Sequence, residues 1–272
     1  VCGAGNYQNR MTSHPPVDHE RRFSGVRRLY GEQGLARLQK AHVLVIGIGG
    51  VGSWAVEALA RNAVGKLTLV DLDNIAESNL NRQIHALEDT LGKAKVTAMR
   101  ERIAAINPQC EVVEVEDFVT PENLPQMLAG GAEVVVDCMD DTKAKIALAA
   151  YCKQHKLPLV MVGSAGGKLD ATRLQLADLA HVQGDRMLAK VRNQLRRDHG
   201  FPKASDHKKS AKFGLMAVYS DEPVERPEEA CDTSQTGLTG LNCAGYGSSI
   251  CVTASAGFIA AQHAIQQLLM PV

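Results

Sequence analysis

Residues 42–53, HVLVIGIGGVGS, constrain the fold of this 272-residue chain more than any other stretch. HVLVIG (42–47) is a short apolar run that suits a strand buried on both faces of a parallel sheet. Gly47, Gly49 and Gly52 then fall at the spacing G-x-G-x-x-G, with Gly50 as an extra glycine. GSWAVEALARNAV (52–64) reads as a helix. Val56, Leu59, Ala60 and Ala63 recur on its buried face and Gly65 ends it. LTLVDLD (67–73) is a second strand. Strand, glycine turn, helix and strand make a nucleotide-binding unit. Glycines let the backbone approach phosphates, and the helix N-terminus favours negative charge.

The alternation continues. We expect a helix over 91–108, stopped by Asn107-Pro108, a strand over 110–119, a short helix over 121–130, a strand over 133–140, a helix over 142–156 and a strand over 157–167. This predicts an α/β fold, with a Rossmann-like, mostly parallel sheet and helices on both faces. RRFSGVRRLYGEQGLARLQK (21–40) precedes it at helical spacing. The final third reads differently. Residues 176–200 are helical and basic, 201–212 a polar loop, 213–224 a strand that turns acidic, and 233–249 a crossover loop near the nucleotide. The apolar stretch 250–269 is expected to be a buried amphipathic helix rather than a membrane span. Residues 1–20 read as a flexible N-terminus or tag remnant around Met11, without a signal-peptide pattern. Residues 21–272 read as one domain, with 21–170 the nucleotide-binding core and 171–272 the substrate and dimer region.

Thirty lysines and arginines balance thirty aspartates and glutamates, so no global field attracts nucleic acid or membrane and such a partner needs a local patch. Seven scattered cysteines form no Cys-x-x-Cys pair. This argues against a zinc clip or disulfide framework and for reduced thiols in a cytoplasmic protein.

Asp71, at the end of the second strand, is placed to accept hydrogen bonds from ribose hydroxyls; a strand-end cap is the alternative. Asp73 divides evenly between an ATP or magnesium role and loop structure. Asn79, Arg82, Gln83 and Lys95 follow closely. A dinucleotide does not require such a set, whereas a triphosphate presents several anionic oxygens that cations must offset. The nucleotide is therefore read as ATP. Taken singly, Arg82 reads equally well as a solvated arginine and Lys95 as a helix-surface lysine.

GIGGVGS, DLD, NLNRQ, GKAK and DCMD, in this order and spacing, resemble the E1-like ATP-dependent adenylating family, the ThiF/MoeB superfamily. RRFSGVRRLYGEQGL, NRQIHAL, ERIAAINP, DFVTPEN, AYCKQHKLPLV and GSAGG resemble more narrowly its branch of tRNA threonylcarbamoyladenosine dehydratases, over about residues 21–270. The resemblance implies that Gly47, Gly49, Gly50, Gly52 and Asp71 hold adenosine and ribose, and that Asn79, Arg82 and Lys95 bind the triphosphate. It also implies that Asp140, the second aspartate of DCMD, works through Mg²⁺. Asp137 reads as a strand-end structural residue, with an assisting role the alternative. Asp141 stands where many relatives have asparagine. Gly25 stands at the position of the N-terminal arginine that, in sulfur-carrier members, reaches the partner subunit's ATP; Arg22 and Arg28 are the nearest substitutes. The cysteine pairs that bind zinc in many relatives are missing, so no structural zinc is expected. Cys243 is the best-placed thiol, with a buried packing role the stronger reading.

The implied reaction is ATP-dependent cyclisation of N6-threonylcarbamoyladenosine at tRNA position 37 through an acyl-adenylate, needing no enzyme thiol. Residues 186–212 carry nine lysines and arginines against two aspartates. Arg192, Arg196, Arg197, Lys208 and Lys209 are the expected tRNA contacts, a solvated helix face the alternative. A homodimer and a cysteine-desulfurase-system partner are further implications. The competing readings are adenylation of a sulfur-carrier protein C-terminus, a nucleotide-sensing binder without enzymatic activity and, last, an NAD-dependent oxidoreductase.

Overall fold

The computed structural model describes residues 18–203, 211–224 and 246–270. Its centre is one seven-stranded sheet: β1 (His42–Ile46), β2 (Lys66–Val70), β3 (Glu111–Val115), β4 (Val134–Asp137), β5 (Leu159–Val162), β6 (Leu174–Asp178) and β7 (Met216–Ser220). Their spatial order is β3-β2-β1-β4-β5-β7-β6. Every pair is parallel except β6 with β7. The expected α/β architecture is therefore present.

The helices are α1 (His19–Lys40), α2 (Gly52–Arg61), α3 (Lys95–Ile106), α4 (Leu124–Leu128), α5 (Thr142–Gln154), α6 (Arg186–Asp198) and α7 (Ile250–Leu269). Residues of alternate parity in the central strands feed two cores, as strict side-chain alternation requires. Val43, Val45, Leu67 and Leu69 pack with α2, α3 and α7. Leu44, Ile46, Val70 and Val135 pack with α5 and α6. Val56, Leu59, Ala60 and Ala63 are all buried, as their spacing requires. Within α7, a Cβ at Gly257 would lie 2.4 Å from the Val51 carbonyl oxygen, so the glycine lets the helix seat closely on the start of α2. No helix of the described residues is long and apolar enough to cross a membrane.

Four local expectations change. Residues 176–200 do not form one helix: Leu174, Leu176 and Asp178 belong to an edge strand whose pairing with β7 outweighs the local helical pattern, and the helix starts only at Arg186. Gly65 does not cap α2, which ends at Arg61. A Cβ there would lie 1.8 Å from the Gln39 carbonyl oxygen, so close passage of two backbones demands the glycine. The N-terminal boundary moves back, because Asp18 caps α1 by accepting from the Arg21 N–H at 2.9 Å. α1 is interrupted at Phe23 and at Gly31, where φ is +76°.

Candidate functional site

The chain winds outward from β1 through β2 to β3 and then resumes on the other side with β4. This switch point opens a crevice beyond the carboxyl ends of β1 and β4, where open α/β sheets place their ligands. The turn after β1 and the turn after β4 are its two walls. Gly47 has φ +84°, and a Cβ there would meet the Cys138 carbonyl carbon and oxygen at 2.9 Å. A Cβ at Gly52 would fall 1.8 Å from the Gly47 oxygen. Gly47 is imposed by close packing against the turn after β4 and Gly52 by packing within its own turn. Gly49 keeps an open face, with only Gln83 Nε2 at 3.9 Å from where its Cβ would be, whereas Gly50 is covered by the Arg82 side chain, whose Cγ lies 3.1 Å from where a Gly50 Cβ would be.

The Ile48 peptide is clamped at both ends. Its N–H donates to Asp71 Oδ2 at 2.6 Å, and its carbonyl accepts from His85 Nε2 at 2.8 Å. A carbonyl only accepts, so Nε2 carries the proton. Burial lowers the His85 pKa to about 4, which keeps the ring neutral. His85 Nδ1 is buried without a hydrogen-bond partner. Sequence reasoning placed no role on His85; its only signal was a histidine inside an otherwise apolar turn of the NRQIHAL motif.

Asp71 also accepts from the Asp73 N–H at 2.9 Å. Burial raises its carboxyl above the usual range, and the Lys95 charge opposes that shift. Lys95 opens α3 and is only 7% exposed, with Nζ 2.6 Å from Asp73 Oδ2 and 3.7 Å from Asp71 Oδ1. It is not the helix-surface lysine of the alternative reading. Arg82 Nη1 donates to the Ser78 carbonyl at 2.7 Å and to Asn81 Oδ1 at 2.9 Å, and the Trp54 indole N–H donates to the Arg82 carbonyl at 2.9 Å. Arg82 is thus half-buried and held against the glycine turn rather than solvated. Asn79 accepts from the Ala76 N–H at 3.0 Å, so its carbonyl oxygen shapes its own turn. Gln83 is buried with Oε1 unpartnered.

On the opposite wall the DCMD aspartates separate. Asp137 is fully buried, 3.0 Å from the equally buried Lys145 Nζ, which also donates to the Val162 carbonyl at 2.8 Å. Asp140 is exposed at the mouth of the turn. Asp141 caps α5, accepting from the Lys143 N–H at 2.7 Å. Asp140 is therefore the aspartate of this turn left exposed and without a structural partner role of the kind Asp137 and Asp141 have. Arg22, one substitute for the missing N-terminal arginine, instead donates to the Ile106 carbonyl at 2.6 Å and caps α3 of its own chain.

The basic stripe divides too. Arg192 donates to the Val182 carbonyl. Arg196 Nε donates to the Pro202 carbonyl at 3.1 Å, and its guanidinium lies 5.4 Å from the Phe213 ring centre. Arg197 pairs with Asp198 at 2.9 Å. Lys208, Lys209 and Cys243 lie outside the described residues. Among the described residues, no three His, Cys, Asp or Glu side chains cluster as metal ligands.

The model of the ThiF family matches residues 22–271. The chain belongs to the ThiF family. This ThiF-family chain is 46% identical over 255 residues to a tRNA threonylcarbamoyladenosine dehydratase of Haemophilus influenzae, covering 93% of the chain and 95% of the relative. It is 44% identical to the dehydratase of that name from Escherichia coli, covering 91% and 93%. A crystal structure of an Escherichia coli tRNA N6-threonylcarbamoyladenosine dehydratase in complex with ATP matches with a TM-score of 0.81 at 44% identity, covering 92% of this chain and 94% of that one.

Proposed function

We propose that the chain is an ATP-dependent tRNA threonylcarbamoyladenosine dehydratase, with the crevice between the β1 and β4 turns as its ATP site. The carrying observation is identity along more than nine-tenths of both chains to dehydratases, one of them solved with ATP. In this reading the open face of Gly49, and Gly50 beneath Arg82, receive phosphates against the α2 N-terminus. Asp71 takes the ribose, with Gln83 beside it. Arg82, Lys95 and the remaining amide end of Asn79 face the triphosphate, while Asp73 holds Lys95 in place until the phosphates compete for it.

The substrate's threonine carboxylate attacks the α-phosphorus of ATP and the bond to pyrophosphate breaks. A nitrogen of the ureido group then attacks the acyl carbon, loses its proton and expels AMP. The net change in the nucleoside is the loss of one water. Ring closure within one molecule has a large entropic advantage, so no enzyme thiol is needed. Three of the four described free thiols suit this: burial pushes Cys110, Cys138 and Cys152 up to about 12, where none is a thiolate at neutral pH.

The chain's main task is electrostatic, because carboxylate and triphosphate repel. One exposed carboxylate, Asp140, beside a triphosphate fits Mg²⁺, which takes one or two protein carboxylates plus substrate phosphates. The ion would supply further charge neutralisation. A cytoplasmic homodimer that meets a cysteine-desulfurase-system partner completes the reading. A test is the release of AMP and pyrophosphate: modified tRNA should stimulate it, and a carrier protein ending in Gly-Gly should not. Stimulation by the carrier alone would replace this reading with sulfur-carrier adenylation.

A further inference from the structure

Three arginines converge on a hollow at the far ends of α2 and α3. Its volume is about 500 Å³, and Arg22, Arg61 and Arg102 line it with Phe23, Ala105 and Ile106. Each guanidinium is held in place. Arg22 grips the carbonyls that end α3. Arg61 Nε donates to Glu57 Oε1 at 2.7 Å; Arg102 donates through Nε to Oε2 at 2.6 Å and through Nη2 to Oε1 at 3.1 Å. Glu57 is 5% exposed whereas the Arg61 side chain is 58% exposed. One buried carboxylate thus orients two of the three guanidiniums that line the hollow. Complementing helix dipoles accounts for Arg22, and tying α2 to α3 accounts for Arg102 with Glu57. Neither requires the second, outward guanidinium of Arg61 on the same carboxylate.

We propose that this hollow binds a phosphodiester of an RNA backbone. Preorganised guanidinium forks match phosphate oxygens. The chain as a whole is neutral, so RNA contact needs a local excess of charge. Two of the α6 arginines expected to supply it turn to carbonyls and an aromatic ring and the third pairs with its own Asp198, whereas Arg61 and Arg102 share one carboxylate and so leave an excess of positive charge. The hollow also connects to the chemistry. α2 and α3 begin at the crevice, with Gly52 and Lys95, and end at the hollow. At ~1.5 Å per residue this places it roughly 15 Å from the glycine turn, within reach of one bound RNA. The inference rests on the tRNA reading above.

The test is the salt dependence of tRNA anticodon stem-loop binding to the full chain and to Arg61→Gln and Arg61→Lys. Arg61→Gln should weaken binding about fivefold at low salt and reduce the slope of log affinity against log salt by about one, with Arg61→Lys between it and wild type. ATP binding should be unchanged in both, which confirms folding. An unaltered affinity and slope in Arg61→Gln would overturn the proposal. So would inorganic phosphate that binds in an Arg61-dependent way while RNA binding ignores the substitution. The nucleoside mass change of the wild type, followed in parallel, separates the two readings: Arg61-dependent RNA binding without dehydration leaves the hollow standing and removes the proposed reaction.

Discussion

Two aspartate–lysine pairs stand at the carboxyl ends of parallel strands, and they differ in everything but composition. Asp137 and Lys145, after β4, are both fully buried, and the lysine is further fixed by the Val162 carbonyl. Lys95, after β2, is nearly as buried, but its nearest carboxylate partner, Asp73, is 65% exposed. A sealed pair cannot exchange partners without leaving a bare charge in a dry interior. An open pair can hand its lysine to an arriving anion while its carboxylate returns to water. The same two residue types thus form a structural rivet after β4 and, in the proposed ATP site, a gripping charge after β2.

The largest effect should come from breaking the sealed pair. Lys145→Met leaves Asp137 uncompensated and should cost about 3–5 kcal/mol in urea denaturation at neutral pH. Asp137→Leu with Lys145→Met should recover most of that loss, since a buried pair is often replaceable by apolar residues of similar size. Opening the other pair should affect rate first. Lys95→Met, Arg82→Ala and Asp140→Ala should each lower turnover roughly 100-fold or more while a cooperative melting transition is retained. Near-normal turnover in any of them would remove that residue from the ATP site.

A pH experiment probes the clamp between the pairs. His85 is neutral in the fold with a pKa of about 4 against 6.5 for an ordinary histidine. The unfolded chain therefore binds more protons between these values, and stability falls as pH drops through that window. His85→Gln should flatten this slope, with a difference of up to about 3 kcal/mol at pH 4. An unchanged slope would mean that the histidine charges without opening the Ile48 clamp. The smallest effect should be Asp73→Asn, below about 1 kcal/mol in stability because the carboxylate is exposed. If Asp73→Asn is as damaging as Lys95→Met, the distinction between open and sealed pairs fails.

Much of the first half was legible in the sequence because its signals are local. Apolar runs of strand length, helical spacing and a glycine turn imposed by backbone contact depend little on distant residues. Edge strand β6 was hidden because LADLAH suits a helix as well, and only β7, some forty residues later, makes it a strand. The site residues were legible as types but not as arrangements. Nothing in the spacing of DCMD shows that Lys145 neutralises its first aspartate, nor that Arg192 and Arg196 turn inward while the stripe reads as a basic face. Glu57 and Arg102, 45 residues apart, carry no joint signal at all.

In the proposed reaction the crevice activates a threonylcarbamoyl carboxylate with ATP. The most direct test of that step is the mass of the modified nucleoside after tRNA carrying it is incubated with the protein, ATP and Mg²⁺. A loss of one water with one AMP formed per nucleoside is expected, and a loss roughly 100-fold slower or more with Lys95→Met. An unchanged mass in the presence of wild-type protein that binds both ATP and tRNA would contradict it.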